Sequence, residues 1–346
     1  MTTHVHLVGS IPLQCNTEVF QEVAQRIGTY VTRYPDGETG DRSRWVQWLD
    51  RIICDDAQFV RAPTREVTHA TGVTYHHYAV RPGLDPAQLK FSSLGYADAA
   101  LASYEDFLLL RSDGILPSNA RFLVAMPTAI AFLWCFITPS QRHAVEPAYN
   151  AALLRELAEI ANGIPHDDLA IQWDTVHELL IIEGVRKYEL DNPKEDLISR
   201  LVHTGNQVPD DMELGYHFCY GDSGHKHSIE PKDMGLMVEF ANGLVRGLDR
   251  PLDFIHMPVP RDRNDVSYFQ PLVNFEKPVD TELYLGLVHL TDGIEGTKSR
   301  IAAARKVIRD FGVATECGFG RRPPETILQL LDLHNKVAQS MEGCQC

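Results

Sequence analysis

Leu214-Gly215-Tyr216-His217-Phe218-Cys219 is a short, nearly unbroken apolar run of strand length. Past a polar stretch, residues 232–248 carry apolar side chains at Met237, Phe240, Ala241, Leu244, Val245 and Leu248, the 3.6-residue period of a helix with one buried face. Asp253-Phe254-Ile255-His256-Met257 is then apolar again, within a second strand over 252–257. Strand, helix and strand in this order predict a parallel pair with a helical crossover, and strands apolar throughout are strands covered on both faces.

The same alternation runs through the rest of the chain. Further strands are expected at 5–8, 122–125, 169–173, 283–289 and 312–317, with another at 73–80 in an insertion; helices are expected at 17–27, 147–162, 298–310 and 324–341. Seven or eight parallel strands favour a closed (β/α)8 TIM barrel over an open doubly wound sheet, and no glycine-rich phosphate loop follows the first strand. The expectation is an α/β fold with one TIM-barrel domain over residues 1–341, loop insertions, and a C-terminal tail at 342–346. No repeat or linker divides the 346 residues.

Composition narrows the partners. The net charge is −15, which lacks the basic footprint of a nucleic-acid binder and is repelled by anionic membranes. The most apolar stretch, 122–137, contains Pro127 and is too short to span a bilayer. Cys15, Cys54, Cys135, Cys219, Cys317, Cys344 and Cys346 are odd in number and form no framework. With no signal-like N-terminus, they read as reduced thiols of a cytoplasmic protein.

In a barrel of parallel strands, chemistry sits where the strands end. Ser10 follows the first strand, Gln172 and Asp174 close Ile171-Gln172-Trp173-Asp174, His256 and His289 lie near the ends of later strands, and Cys317 ends the last. His217 and Cys219, two apart on a strand, point to the same face. An imidazole and a thiol together, with Cys317 from another strand end, are soft donors suited to Zn2+, and three ligands with an open position describe a catalytic site. A buried cysteine beside a hydrogen-bonded core histidine would give the same letters. The turn-rich Tyr34-Pro35-Asp36-Gly37-Glu38-Thr39-Gly40-Asp41-Arg42 brings Asp36, Glu38 and Arg42 to the same mouth, where they fit either a plain turn or contacts to a polar ligand. Trp45 and Trp48 read as core, and His76, His77 and His166 as surface. Arg321 and Arg322 follow Cys317 and suit a substrate carboxylate or phosphate.

In these segments the chain resembles the catalytic barrel of cobalamin-independent methionine synthase, within the group that includes uroporphyrinogen decarboxylase. Val8-Gly9-Ser10-Ile11-Pro12 is similar to the family's Ile-Gly-Ser-Phe-Pro, and Ile171-Gln172-Trp173-Asp174 to its Ile-Gln-Ile-Asp. His217-Phe218-Cys219-Tyr220 is similar to its His-Met-Cys-Tyr, Leu287-Val288-His289 to its histidine strand, and Glu316-Cys317-Gly318 to its Asp-Cys-Gly. The resemblance implies a zinc-dependent methyl- or alkyltransferase that takes a small-molecule thiol and a methyl donor. It implies His217, Cys219 and Cys317 as metal ligands, His289 as proton donor, and Asp174 with Ser10 as the groups that position the acceptor. Gln172, Glu178 and Arg321 complete the expected substrate contacts.

Two departures follow. The family's fourth ligand is a glutamate, and here Glu239 has the sequence spacing while His256 lies on the expected strand; His256 is favoured, with His225 and His227 as outside choices. Where the family reads Asp-Glu-Pro-Ala, this chain has Asp174-Thr175-Val176-His177-Glu178. The family's second, N-terminal barrel has no room in a chain of this length. A zinc-dependent lyase or hydrolase on the same barrel, and a metal-binding protein without turnover, are the competing expectations.

Overall fold

The structure is a computed structural model and describes residues 4–68, 74–222, 224 and 226–342. In chain order the strands are β1 (Arg33–Pro35), β2 (Phe59–Thr68), β3 (Thr74–Val80), β4 (Arg121–Pro127), β5 (Leu169–Thr175), β6 (Glu213–Phe218), β7 (Phe254–Pro258), β8 (Glu282–Gly286) and β9 (Gly312–Val313). Seven of them form one curled sheet in the order β1-β4-β5-β6-β7-β8-β9, with every neighbouring pair parallel. The other two, β2 and β3, pair antiparallel as a separate hairpin, the insertion that the sequence places near residue 80.

The expected closed eight-stranded barrel is met as a TIM-barrel-like sheet of seven strands. The predicted first strand, 5–8, is extended chain between the two sheet edges. It touches β9 through a single bridge, Val5 to Val313, and the chain after β1 through another, Ser10 to Gly37. Two of the predicted strands are also shorter than their apolar runs. The 283–289 run ends as a strand at Gly286 and the 312–317 run at Val313, so His289 and Cys317 sit on loops past the strand ends. In contrast, β1 was hidden inside the turn-rich segment, because three residues ending in proline carry no readable period.

Register fixes the height of the side chains. Asp174 on β5 pairs with His217 on β6, and His217 pairs with His256 on β7. These three lie on one rung, and neighbours across a parallel ladder project to the same face. Gly286 closes the geometry next to them: a Cβ there would stand 2.8 Å from the Glu316 Cα and 2.9 Å from the Thr315 oxygen. Only glycine admits the 315–317 segment this close to β8. Helices such as Gly235–Gly247 and Ile327–Glu342 cover the outer face with buried Phe240, Leu244, Leu330 and Val337. No helix among the described residues is long and apolar enough to cross a membrane.

Candidate metal centre and pocket

His217 and Cys219 leave the end of β6 two residues apart, and Cys317 arrives from the segment after β9. The two sulfurs are 3.6 Å apart, and one ligand atom from each of the three residues lies within 4.8 Å of the others. The Cys219 sulfur also accepts the Gly221 N–H at 3.3 Å. The Cys317 thiol is held well above its ordinary pKa by its bond to Cys219 and by burial, so it keeps its proton unless positive charge is supplied. His217 Nδ1 is 2.6 Å from His256 Nδ1, and His217 Nε2 is buried and without a hydrogen-bond partner among the described residues. An orphaned imidazole nitrogen beside two thiols is a donor set that fits a borderline-soft divalent ion such as zinc.

His256 stands outside this donor group. Its Nδ1 faces His217, and its Nε2 lies 2.9 Å from the Thr315 carbonyl oxygen, so both ring nitrogens are occupied. Glu239, the competing candidate, is exposed on the helix Gly235–Gly247 and pairs with Lys194. His227 is buried between Glu230, 3.0 Å from its Nδ1, and Glu316, 3.7 Å from its Nε2. His225 lies outside the described residues.

The three donors line a pocket at the C-terminal ends of the strands together with Ser10, Glu38, Trp45, Trp134, Asp174, His177, Arg186, Asp222 and Arg321. Asp174 is buried and fixed at both oxygens: Gln172 donates to Oδ1 at 3.0 Å and the Trp45 indole N–H to Oδ2 at 3.1 Å. Burial, with repulsion from Glu38, holds its carboxyl well above the usual range. Burial likewise pushes Glu38 up to about 7, against the opposing pull of Arg42, and its Oε2 has no hydrogen-bond partner among the described residues. Among the described residues, Glu38 and Trp45 are the two non-glycine residues with positive φ, at 49° and 57°. Both face the pocket, and strain of this kind gathers at functional sites. From Trp45 the wall continues as a stack: the His177 ring lies 5.9 Å from Trp45 and 4.9 Å from Trp134, and Arg186 sits 4.0 Å over the Trp134 ring. Burial first, then the charges of Arg186 and Arg142, bring His177 down to about 3, so its ring is neutral.

The structure separates the other expected site residues. Ser10, Asp174 and Arg321 line the pocket. Gln172 does not; its amide donates to the Val8 carbonyl at 2.6 Å and to Asp174, and its oxygen meets His6 Nε2 at 2.8 Å, so it orients Asp174 from below. Glu178 turns away into another cavity, where its Oε1 accepts from Thr128 at 2.5 Å. Its neighbour on the helix His177–Ile182, His177, takes the pocket position instead. His289 is buried behind the site, with Nε2 donating to the Val259 carbonyl at 2.9 Å and Nδ1 3.6 Å from Glu316. Burial lowers its pKa to about 3, so its remaining proton is the one held by Val259. Trp45, expected in the core, is a pocket wall, and His77, expected at the surface, is buried. Trp134, His177, Arg186 and Asp222 had no readable signal, since each follows a strand end at a distance that only the fold reveals.

No protein-family model and no curated protein matches the chain. Solved structures do. A B12-independent methionine synthase from Shewanella sp. W3-18-1, in complex with selenomethionine, superposes with a TM-score of 0.64 at 12% identity, over 99% of this chain and 98% of that one. A candidate vitamin-B12-independent methionine synthase from Listeria monocytogenes follows at 0.56 and 12%, over 98% and 99%. A methyltransferase from Methanosarcina mazei follows at 0.53 and 11%, over 97% and 94%. The resemblance read from short motifs thus recurs along the whole length of the chain, at the level of the fold.

Proposed function

We propose that this protein is a zinc-dependent methyl- or alkyltransferase acting on a small-molecule thiol. One observation carries the reading: an unpartnered, buried imidazole nitrogen and two adjacent thiols open into the same pocket as Ser10, Glu38 and Asp174. His217, Cys219 and Cys317 would hold the ion. When bound, zinc supplies the positive charge that favours thiolate over thiol at neutral pH, where a free thiol titrates near ~8.5.

The chain's own groups position the substrates. Glu38 and Asp174 repel each other, and a substrate ammonium placed between them relieves that repulsion. Arg321 suits a carboxylate on the same molecule, and Ser10 offers a hydroxyl beside Glu38. Gln172 and Trp45 keep the Asp174 carboxylate from rotating. The stacked wall of Trp45, His177 and Trp134 excludes water from that side. One domain over residues 1–341 and a cytoplasmic setting complete the reading.

Purified protein from metal-replete expression is expected to carry one zinc per chain and to consume a methyl donor only when thiol is added. Cys219→Ser and Cys317→Ser each lose the metal and the thiol-dependent turnover. Wild-type protein without stoichiometric zinc, or hydrolysis that needs no thiol, overturns the proposal.

A further inference from the structure

The chain departs from the family pattern at His256, and the hydrogen bonds around it show what the departure does. The Thr315 carbonyl can only accept, so the 2.9 Å contact places a proton on His256 Nε2. His256 is fully buried, and among the described residues its ring nitrogens meet the His217 ring and the Thr315 carbonyl, so a charged ring there would have no carboxylate to pair with and the imidazole is neutral. A neutral imidazole with its proton on Nε2 has a bare Nδ1. The 2.6 Å contact between the two Nδ1 atoms then requires the proton of that bond to belong to His217. A neutral His217 protonated on Nδ1 is bare at Nε2, the atom left without a partner beside the two sulfurs.

We infer that His256 is a positioning residue of the metal centre, which fixes the tautomer and orientation of His217 and leaves its Nε2 lone pair facing Cys219 and Cys317. The inference rests on the metal-centre reading and deepens it. His217, Cys219 and Cys317 would then be the residues that hold the ion, and His256 would not be among them. Such outer partners fix ring orientation and strengthen the donor, and their loss costs on the order of 10–100-fold in metal affinity. Thr315 gives the arrangement a second link. It lies two residues before Cys317, so the segment that delivers a thiol also sets the tautomer of the imidazole opposite, and Gly286 is what lets that segment come in.

Two variants and two readouts test this. The amide of His256→Gln accepts from His217 and donates to Thr315, while His256→Leu does neither. In the metal-free protein, 15N-histidine NMR should find the His217 proton on Nδ1 in the wild type and in His256→Gln, with the preference lost in His256→Leu. Zinc titration should then show His256→Gln within about 3-fold of the wild type and His256→Leu weaker by roughly 10–100-fold. X-ray absorption of the zinc-loaded wild type should count one imidazole and two sulfurs. A His217 proton on Nε2 in the wild type, two imidazoles on zinc, or a folded His256→Leu that binds zinc as tightly as the wild type each overturns the inference. The expected tautomer without any zinc uptake overturns the metal-centre reading instead, and with it the purpose given to His256, while the hydrogen-bond chain stands.

Discussion

The two ends of the curled sheet use the same residue types in opposite ways. At the N-terminal end, Arg33 on β1 meets Glu213 at 2.5 Å and Glu282 at 2.6 Å, Arg121 meets Glu213 at 2.9 Å, and the Arg33 guanidinium lies 4.2 Å over the Phe254 ring. Glu282 also accepts from Tyr284. At the C-terminal end, His217 Nε2, Glu38 Oε2 and His177 Nδ1 are buried with no hydrogen-bond partner among the described residues. Buried polar atoms cost about 1–3 kcal/mol each when unsatisfied. A fold that pairs Arg33 and Arg121 with carboxylates at one end and leaves these three buried polar atoms without a partner among the described residues at the other holds the second set ready for something that arrives from outside. In barrels of this type, the C-terminal end carries the chemistry and the other end carries stability.

The sharpest way to break this contrast is to mutate one residue at each end. Cys317→Ser should abolish zinc binding and reduce thiol-dependent turnover to background. Because the 3.6 Å sulfur contact is a weak bond, the urea midpoint of the metal-free protein should hardly move. Arg33→Met should do the reverse. It leaves the Glu282 carboxylate without its cation and Glu213 with Arg121 alone, and costs about 2–4 kcal/mol in urea unfolding, less than a fully buried pair because both carboxylates keep some exposure. Its zinc stoichiometry should stay at that of the wild type. If Arg33→Met lost metal at unchanged stability, or Cys317→Ser unfolded the metal-free chain, the two ends would not divide the work as described.

Glu38 gives a smaller effect with a sign. Its folded pKa is raised to about 7 from an ordinary 4.5, so between those values the folded state binds more protons than the unfolded one. Stability from this group is therefore full below about pH 4.5 and is lost as pH rises through 7. Glu38→Gln removes the dependence. Metal-free Glu38→Gln should match the wild type near pH 4.5 and exceed it by roughly 1–3 kcal/mol above pH 7, while its affinity for an amine-bearing substrate falls. Urea melts at two pH values check it, and equal stability of the two proteins at both would remove Glu38 from the unsatisfied set.

What the sequence made legible follows from how local each signal is. His217-x-Cys219 could be read because a strand has period two, and both residues lie on one face whatever the rest of the chain does. Cys317 and Asp174 could be read because strand ends are marked by the switch from apolar to polar. His256 was placed at the right height on the right strand, but its role depends on the Thr315 carbonyl across the sheet, a backbone atom that no side-chain pattern announces. The stacked wall was invisible for a related reason. Trp45, Trp134 and His177 come from three separate segments, each following a different strand, and only the curl of the sheet brings them together.

Glu178 supplies the smallest effect and the finest test of the contrast. By sequence it belongs with Asp174, four residues earlier at a strand end. In the structure, the helix His177–Ile182 begins between them, and neighbours on a helix point about 100° apart. His177 turns into the pocket with His217, Cys219 and Cys317, and Glu178 turns into the cavity lined by Thr128, Glu146 and Arg200. Burial raises its carboxyl to about 7, so a neutral amide is a close substitute for it. Glu178→Gln should keep zinc binding and the KM for the thiol within about 2-fold of the wild type, whereas His177→Ala, one residue away, should open the wall between the two tryptophans and raise KM. If Glu178→Gln instead raised KM as Asp174→Asn is expected to, Glu178 would be a substrate contact beside Asp174, as the sequence reading had it, and the boundary of the pocket would have to be drawn to include the far side of that helix.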